Sequence, residues 1–475
     1  MDSAQKITIK TKIIRVPTTA SAFGFFSVLN QEYGSHNVAL LDAHVQEDTV
    51  FNQAMIGLFP ALHLKVKNGQ LEVSGDDSLL TQISRPKRQI IENHLDDHLH
   101  EWLSLFSADD KLPPFSFGFM GYFGFEAMKY MESIEFDAVD DRGLPDIYLQ
   151  MHRVMIHVSP DYTSVFLHDF GDEIAPFSAE DFWRLVMVAR GAELPPAEVL
   201  GQVEFVEEVS KEAFMSRVVE IKAHIRAGDI FQCVPSKRIR VHGLKKPLQA
   251  YAKLRKINPS PYMFYVDYGS FVLFGASPEM QLRLVNGKAL MKPIAGTSKG
   301  KGKTKEENER LIRELFDDPK ERAEHVMLVD LCRNDLGRVA IPGSVNVEKL
   351  LQVEEYSHVF HLVSHVSAEL PKGSNPFAAV FATFPAGTLS GAPKIRAIQI
   401  LAKMESFLRG PYGGIVGMFD HMGNLDSAIL IRTVVYKDEV AYIQAGAGIV
   451  ADSEPEQEWN ECDHKLGALR AIFQE

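Results

Sequence analysis

Cysteine is scarce in this sequence, with only Cys233, Cys332 and Cys462 among 475 residues. They form none of the closely spaced pairs that bind structural zinc, and so few cysteines are typical of a reducing compartment. Cys332 and Cys462 each fall within an apolar stripe of a predicted helix, where a thiol packs as a small apolar group. We therefore expect buried thiols rather than disulfides or a cysteine nucleophile.

Positive charge and long apolar runs are also lacking. The formal net charge is −13, which argues against binding to nucleic acid. No stretch has the length and apolar character of a membrane span, and the first residues lack the apolar segment of a signal peptide. The 45% of hydrophobic residues is enough for a sizeable core. We expect a cytoplasmic protein with no nucleic-acid or membrane partner.

The order of the predicted elements indicates an α+β fold. Hairpins are predicted at 62–73, 262–275 and 281–292, two of them across Asn-Gly turns. Helices are predicted at 87–107, 212–227 and 247–257, and a strand at 231–241. Hairpins interleaved with helices favour antiparallel sheets packed together with helices on the outside, not a doubly wound sheet.

A stretch rich in proline and glutamate, 193–204, is the best candidate for a linker. It divides the chain into an N-terminal region, 1–200, and a second region, 201–475, in which motifs are denser. Length alone would allow two to four domains. We therefore expect two regions of unequal sequence character.

The segment 317–335 predicts the start of a helix. Asp318 suits the N-cap and Pro319 the first helical position, and the residues from 326 to 332 are nearly all apolar, which predicts burial. Glu321 and Glu324 are three residues apart, so both carboxylates project from one face. Two acids in a first turn are also favoured by the helix dipole alone, so this pair does not by itself define a site.

The C-terminal segment 453–465 repeats the arrangement. Ser453 suits the cap, and Glu458 and Glu461 are again three residues apart, with Lys465 on the same stripe. The simpler interpretation is an exposed Glu461–Lys465 ion pair that contributes little to stability. If the two helices face each other, however, four carboxylates repel unless a cation lies between them. Ligands that are all oxygen favour Mg²⁺ over zinc.

Several other segments suit a small anionic ligand. The turn at 387–396 enters a helix, whose first N–H groups can hold an anion. Residues 445–448, Ala-Gly-Ala-Gly, end a strand with little side chain, and Arg432 can form a fork with a carboxylate. The lysine-rich segment 296–304 departs from a phosphate-binding P-loop, because five residues separate its glycines where the motif needs four. A lone histidine such as His361 is more often structural than catalytic.

Eleven motifs occur in chain order: FQCVPSKR (231–238), NPSPYMF (258–264), GASPE (275–279), PIAGT (293–297), EHVMLVDLCRNDL (324–336), YSHVFHLVS (356–364), GTLSGAPK (387–394), YGGIVG (412–417), IRT (431–433), QAGAGIV (444–450) and ExxE…K (458–465). Together they resemble the chorismate-utilising enzymes, most closely component I of anthranilate synthase. The match is dense over 211–475 and sparser over 1–200, where GYFGFE and LPDIYL still fit. The resemblance implies the fold of those enzymes.

The resemblance also implies roles for individual residues. Glu324 and Glu461 would bind Mg²⁺ directly, with Glu321 and Glu458 binding it directly or through water, and the ion would hold the ring carboxylate of chorismate. Glu279 would protonate the departing C4 hydroxyl. His361 would assist the later loss of pyruvate. The pocket would be lined by Gly296, Thr297, Thr388, Tyr412, Arg432, Gly446, Ala447, Gly448 and Lys465.

Two positions separate the subfamilies. Relatives that add water to chorismate use a lysine near the position of Gln232 as a base, a role that glutamine cannot take. Relatives that make aminodeoxychorismate often carry a lysine nucleophile at the position of Ala295, where alanine offers only space for ammonia to attack C2. The resemblance therefore favours anthranilate synthase, which forms anthranilate and pyruvate in the first step of tryptophan biosynthesis. Component I of aminodeoxychorismate synthase is the alternative.

The resemblance implies partners as well. No glutaminase signature is visible, so ammonia is expected from a separate glutamine amidotransferase subunit. Relatives inhibited by tryptophan carry Leu-Leu-Glu-Ser near the N-terminus, paired with NPSPYM; here residues 40–43 are Leu-Leu-Asp-Ala. The inhibitor site would include Ala43, Pro261, Tyr262 and Met263. Because Ala43 lacks the serine hydroxyl, we expect tryptophan to bind weakly.

Overall fold

The computed structural model describes residues 6–17, 20–43, 54–91, 94–109, 111–171, 178–191, 202–298, 300–355 and 359–474. In the N-terminal part the strands are β1 Ile7–Thr8, β2 Lys10–Pro17, β3 Val38–Ala43, β4 Ala54–Lys67, β5 Gln70–Gly75, β6 Arg88–Ile90, β7 Phe106–Ser107, β8 Gly118–Phe123, β9 Ile147–Val158 and β10 Tyr162–Asp169. Its α-helices are α1 Ala22–Tyr33, α2 Asp77–Gln82, α3 Leu95–Ser104 and α4 Ala179–Gly191.

The rest of the chain carries the strands β11 Glu204–Glu207, β12 Gln232–Cys233, β13 Ser236–His242, β14 Tyr262–Asp267, β15 Val272–Ser277, β16 Met280–Val285, β17 Lys288–Met291, β18 Ile294–Thr297, β19 Asn346–Glu355, β20 Phe360–Glu369, β21 Gly391–Ala392, β22 Ile415–Asp420, β23 Leu425–Ile429, β24 Thr433–Lys437 and β25 Val440–Gly446. Its α-helices are α5 Lys211–Arg226, α6 Pro247–Ile257, α7 Lys305–Asp317, α8 Pro319–Gly337, α9 Pro376–Thr383, α10 Lys394–Met404 and α11 Pro455–Ala471.

Most of the strands belong to one continuous antiparallel sheet that closes on itself. The long strands β4 and β9 pair along almost their whole length, and the order continues from β9 through β8, β22, β23, β16 and β17 to β20. In the other direction β4 is followed by β3, β14, β15, β24, β25 and β13. The predicted α+β fold with antiparallel sheets is confirmed.

Strands from the N-terminal region lie beside strands of the second region. β3 pairs with β14, and β8 pairs with β22. One apolar core joins Tyr122 and Tyr148 of the first region to Phe264, Leu273 and Met418 of the second. The linker predicted at 193–204 lies mostly outside the described residues, which resume before β11. The site described below therefore sits on a sheet to which both regions contribute strands.

The predicted hairpins form because their turns carry residues that tolerate a positive φ. Asn68 and Gly69 have φ of 48° and 73°, and Asn286 and Gly287 have φ of 52° and 81°. Two consecutive residues of this kind match the right-handed twist of the flanking strands. The turn chemistry was therefore sufficient to predict both hairpins, with nearly correct ends for β16–β17, whereas β4 begins at Ala54, eight residues before the predicted start.

Two of the predicted elements were wrong in part. The helix expected over 87–107 is confined to α3, because residues 88–90 form β6 and pair with β5. The strand expected over 231–241 is broken into β12 and β13. Pro235 lies in the break, and proline has no N–H to donate to a sheet. Its carbonyl instead accepts a hydrogen bond from the backbone N–H of Ala447.

The helices cover the sheet through apolar stripes. The apolar stripe of α11 that contains Cys462, formed by Trp459, Cys462, Leu466 and Leu469, is buried, and so is Phe473 just after the helix. α8 is buried on one face only, since Val326 is 41% exposed, so the prediction of a helix buried nearly all round was too strong. All three cysteine thiols are buried, as expected. Among the described residues no helix is both long and apolar enough to cross a bilayer.

Candidate active site

The first glutamate pair lies in the opening turns of α8. Asp318 caps the helix by accepting hydrogen bonds from the backbone N–H groups of Lys320 and Glu321, at 2.8 and 3.2 Å. Both Glu321 and Glu324 are half-buried. The side-chain amide of Gln232 donates a hydrogen bond to Glu324 Oε1 at 2.9 Å. Gln232 therefore orients one member of the pair from a distant strand.

The second pair lies at the start of α11, but the cap differs from the prediction. Glu454 occupies the N-cap position without a side-chain hydrogen bond, so Ser453 does not cap this helix. The Ser453 hydroxyl instead accepts from the backbone N–H of Val450 and hydrogen-bonds to Glu458. Residue 453 is thus used to support a carboxylate rather than the helix end.

Charge effects show that the two helices face each other. Burial, followed by the charge of Glu324, raises the pKa of Glu321. Burial also raises the pKa of Glu324 and of Glu458, and the charge of Glu461 adds to both shifts. The condition on which the sequence argument depended is therefore met, because a carboxylate on α11 acts on one on α8.

Two lysines offset this repulsion. Lys465 Nζ lies 2.8 Å from Glu461 Oε1 and donates a hydrogen bond to the Gly446 carbonyl at 3.0 Å. Desolvation opposes the charge of Lys465, but Glu461 outweighs it and raises the pKa of the lysine. Lys320, which the sequence argument missed, lowers the pKa of three of the glutamates. A cation in the first turn of a helix is unfavourable. The position of Lys320 in the first turn of α8 was therefore the sequence feature that could have marked it as a site residue.

The donor set fits a hard divalent cation. All four side chains offer only oxygen, as Mg²⁺ prefers. Glu458 Oε2 is buried and has no hydrogen-bond partner among the described residues, which leaves it free to coordinate an ion. In this structure Glu324 is held by Gln232 and Glu461 by Lys465. Among the described residues, the group whose candidate ligand atoms all lie within 4.8 Å of one another is His94, Asp96 and Asp97, of which two are exposed; the four glutamates do not reach that spacing in this structure.

Glu279 occupies a contrasting environment between β15 and β16. Its side chain is buried, and the Thr388 hydroxyl donates a hydrogen bond to Oε1 at 3.1 Å. Burial raises the pKa of Glu279 to about 8, against the opposing effects of the Thr388 hydrogen bond and the charge of Lys465. The carboxyl therefore carries a proton at neutral pH, as a general acid must.

His361 lies on β20 directly opposite Thr297 of β18. Its Nδ1 is 3.0 Å from the Gly296 carbonyl and 3.1 Å from the Thr297 hydroxyl. Burial lowers the pKa of His361, the Gly296 hydrogen bond opposes this, and the charge of Arg432 adds to it. The imidazole is therefore neutral at neutral pH. Because its charge affects His361, Arg432 lies near the imidazole. This position is consistent with a role in binding a substrate carboxylate beside His361.

Three glycines predicted to line the pocket lie close to its other residues. A methyl group at Gly448 would come within 2.6 Å of the Gln232 amide nitrogen and 3.6 Å of Glu324 Oε1, and one at Gly296 within 3.1 Å of Glu321 Oε2. The Gly446 N–H donates to the hydroxyl of buried Tyr412. Ala447 is fully buried in the core, so only its backbone can contribute to the pocket.

A buried arginine that the sequence argument missed connects the segments of the pocket. Arg409 donates hydrogen bonds to the carbonyls of Leu389 and Val234, at 2.8 and 2.6 Å, and pairs with Glu405. These contacts join the segments that carry Thr388, Gln232 and Tyr412. Glu126, from the motif GYFGFE, accepts from the N–H groups of Arg409 and Gly410.

The residues proposed to bind tryptophan also come together. Ala43 is paired with Tyr262 and Asp42 with Met263 where β3 meets β14. Pro261 and Met263 are buried. The Tyr262 hydroxyl lies in a buried group with Arg283 and Asp426, 3.0 and 3.2 Å away. Two segments more than 200 residues apart in sequence are therefore neighbours.

The sequence matches the family described as chorismate binding enzyme over residues 25–471. The chain therefore belongs to the chorismate-binding enzymes. It is 44% identical over 378 residues to anthranilate synthase component 1 from Acetivibrio thermocellus, which covers 77% of this chain and 76% of that protein. The corresponding protein from Aquifex aeolicus is 42% identical over 377 residues, covering 76% and 75%.

Solved structures agree with this assignment. Anthranilate synthase component I from Streptococcus pneumoniae TIGR4 superposes with a TM-score of 0.77 at 31% identity, covering 91% of this chain and 94% of that one. The menaquinone-specific isochorismate synthase from Escherichia coli superposes with a TM-score of 0.71 at 18% identity, covering 100% and 97%, and so shares the fold. The resemblance to component I of anthranilate synthase is confirmed.

Proposed function

We propose that this chain is the aminase component of an anthranilate synthase, converting chorismate and ammonia to anthranilate and pyruvate. The proposal is supported by the burial of Glu279, which raises its pKa to about 8, and by the charge of Glu461 on α11 acting on Glu324 on α8. Such a site suits a substrate that has a carboxylate to anchor and a hydroxyl to expel. The relatives named anthranilate synthase component 1 support it.

The metal end would anchor the substrate. Glu324 and Glu461 would hold Mg²⁺ directly, and Glu321 and Glu458 directly or through water. When bound, the ion would neutralise the ring carboxylate of chorismate and fix its position. Arg432 and Lys465 are placed to pair with carboxylates of the substrate, and the glycines at 296, 446 and 448 leave room for the ring.

Glu279 would act as the acid in the first chemical step. Glu279 gives its proton to the departing C4 hydroxyl as ammonia attacks C2. Neither Gln232 nor Ala295 can serve as a base or as a covalent nucleophile, which disfavours addition of water and the aminodeoxychorismate route. Neutral His361, whose Nδ1 lies 3.0 Å from the Gly296 carbonyl, would assist the later loss of pyruvate.

Ammonia would come from a separate glutamine amidotransferase subunit. The purified chain should therefore convert chorismate with ammonium salt and Mg²⁺ but not with glutamine, and its rate should rise with pH as ammonium yields free ammonia. Anthranilate fluorescence and pyruvate release measure the product. Formation of aminodeoxychorismate without pyruvate would favour the alternative, and glutamine-dependent turnover by the single chain would contradict the need for a partner.

We further propose that region 1–200 supplies half of a tryptophan site and that region 201–475 holds the catalytic pocket. The pairing of Ala43 with Tyr262 supports a shared site. Serine at 43 would add one hydrogen bond, worth roughly 0.5–1.5 kcal/mol, or up to about tenfold in affinity. Ala43→Ser should therefore tighten tryptophan inhibition by up to about tenfold in a titration of both proteins. Tight inhibition of the natural chain, unchanged by the substitution, would show that other contacts replace the serine.

A further inference from the structure

A second cavity lies beside Glu279. It is partly open to solvent and has a volume of about 20 Å³, enough for water-sized molecules. Of the residues assigned to the substrate pocket within the described part of the chain, only Glu279 and Thr388 line it. The two compartments therefore meet at the hydrogen-bonded pair formed by the catalytic acid and the Thr388 hydroxyl.

One face of α8 runs along both compartments. Glu321 and Glu324 start a stripe that continues at helical spacing through Leu328, Leu331 and Asp335. The last three of these residues line the cavity. The cavity thus lies along the same face of α8 as the two glutamates, and Glu279 is one of the residues that line it.

The cavity is lined by both apolar and polar side chains. Met291, Leu331 and Cys332 form apolar walls, whereas Gln281, Lys292 and Asp335 supply polar groups. These groups are held in place: Gln281 Nε2 donates to the Thr383 carbonyl at 2.8 Å, and Lys394 Nζ donates to Asp335 Oδ2 at 2.6 Å. A narrow cavity with a few fixed polar groups suits small hydrogen-bonding molecules such as water.

We propose that this cavity is a solvent passage for Glu279, through which the water formed from the C4 hydroxyl leaves and a proton returns to the carboxylate while the ring is still bound. The proposal rests on the proposed function. It assigns Met291, Leu331 and Cys332 to the walls of the passage, a role that the substrate chemistry alone does not require.

The need for a passage follows from the balance of the first step. The nitrogen of ammonia bonds to C2, the ring double bond shifts, and the C4–O bond breaks. The departing oxygen takes the proton of Glu279 and becomes water, and the new ammonium nitrogen releases one proton to solvent. Ammonia is consumed and water produced, and Glu279 is left as a carboxylate. Because the aminated ring remains bound for the loss of pyruvate, the opening through which it entered is still occupied.

Filling the passage should leave the first turnover intact and slow those that follow. Met291→Phe adds bulk to the wall without touching the acid, and Glu279 enters the first turnover already protonated. In rapid mixing with chorismate, Mg²⁺ and ammonium salt, we expect a first turnover within about twofold of the natural chain and a later rate about fivefold lower. The later rate should also fall further in D₂O, because a proton transfer limits it.

Met418→Phe is the matched control, because Met418 is a fully buried strand methionine that does not line the cavity. Met418→Phe should change neither the rate of the first turnover nor the later rate. If Met291→Phe does not melt cooperatively, Cys332→Leu narrows the same wall and takes its place. Equal slowing of the first and later turnovers, or no slowing in a folded variant, would overturn the passage. Failure of the natural chain to consume chorismate would instead overturn the proposed function on which the passage depends.

Discussion

The glutamates of the two helix pairs and Glu279 have different surroundings in the proposed pocket. At the proposed metal end, burial raises the pKa of Glu321, Glu324 and Glu458, and the charge of Glu461 adds to each shift. The charge of Lys320 opposes all three shifts, and that of Lys465 opposes the shifts of Glu324 and Glu458. At the other end, Glu279 is buried alone, and its pKa rises to about 8. In the proposed function the same side chain would bind a cation in one place and give up a proton in the other. Surroundings, not residue type, decide which role it takes.

Removing charge from the metal end should have the largest effect. Glu324→Gln or Glu461→Gln deletes a ligand and one negative charge, so turnover with ammonium salt should fall about 10³-fold or more, since a bound metal supplies several kcal/mol. The affinity for Mg²⁺, measured by calorimetry, should fall with it. Glu456→Gln is the control, because Glu456 is an exposed residue of the same helix that pairs with Lys211. Full activity of either variant at limiting Mg²⁺ would remove these residues from the metal site.

Neutralising the acid end should cost less and should show a different pH dependence. Glu279→Gln keeps the shape and the neutral state but cannot donate a proton, so kcat/KM should fall about 100- to 1000-fold. In the natural chain, kcat/KM referred to free ammonia should be level at neutral pH and fall above pH about 8, because Glu279 loses its proton there. A variant that keeps this alkaline limb would assign the limb to another group.

The contrast between the two ends also shows how much of the site could be predicted. Spacing of three residues at Glu321–Glu324 and Glu458–Glu461 was enough to place each pair on one helix face. Spacing could not show that α8 and α11 face each other, because that depends on the sheet between them. Nor could it show that Gln232 holds Glu324, since the two are 92 residues apart in sequence. The pKa of Glu279 follows from burial, which becomes visible only when the chain is folded.

The fold, like the site, has features that could be predicted from local sequence and features that could not. Hairpins with Asn-Gly turns were predictable, because two adjacent residues determine the turn. The strand at 88–90 was mistaken for helix, because its pairing with β5 overrides local preference. Of the partners of the buried Arg409, only Glu405, four residues earlier, is local, whereas the carbonyls at positions 234 and 389 come from distant segments that the sequence could not connect to it. Long-range pairing therefore accounts for most of what the sequence did not reveal.

His361 offers a test of whether the acid end serves one chemical step or two. If the imidazole acts mainly in the loss of pyruvate, His361→Met should slow formation of anthranilate about tenfold more than consumption of chorismate. An aminated intermediate should then accumulate and be detected by liquid chromatography of quenched reactions. If both rates are unchanged and no intermediate is found, His361 has only a structural role and Glu279 stands alone at that end.

The smallest expected effect separates burial from hydrogen bonding as the cause of the Glu279 pKa. The Thr388 hydroxyl donates to the carboxylate and favours its charged form, so it holds the pKa below the value that burial alone would produce. Thr388→Val keeps the volume and removes this bond, worth roughly 0.5–1.5 kcal/mol, or up to about one pKa unit. The alkaline limb of kcat/KM should therefore move to higher pH by up to about one unit, whatever happens to the rate itself. Ser390→Ala is a suitable control, because the Ser390 hydroxyl donates to the Ala386 carbonyl rather than to Glu279. A limb that moves to lower pH would mean that Thr388 stabilises the protonated acid, so that the hydroxyl and burial would both raise the pKa of Glu279.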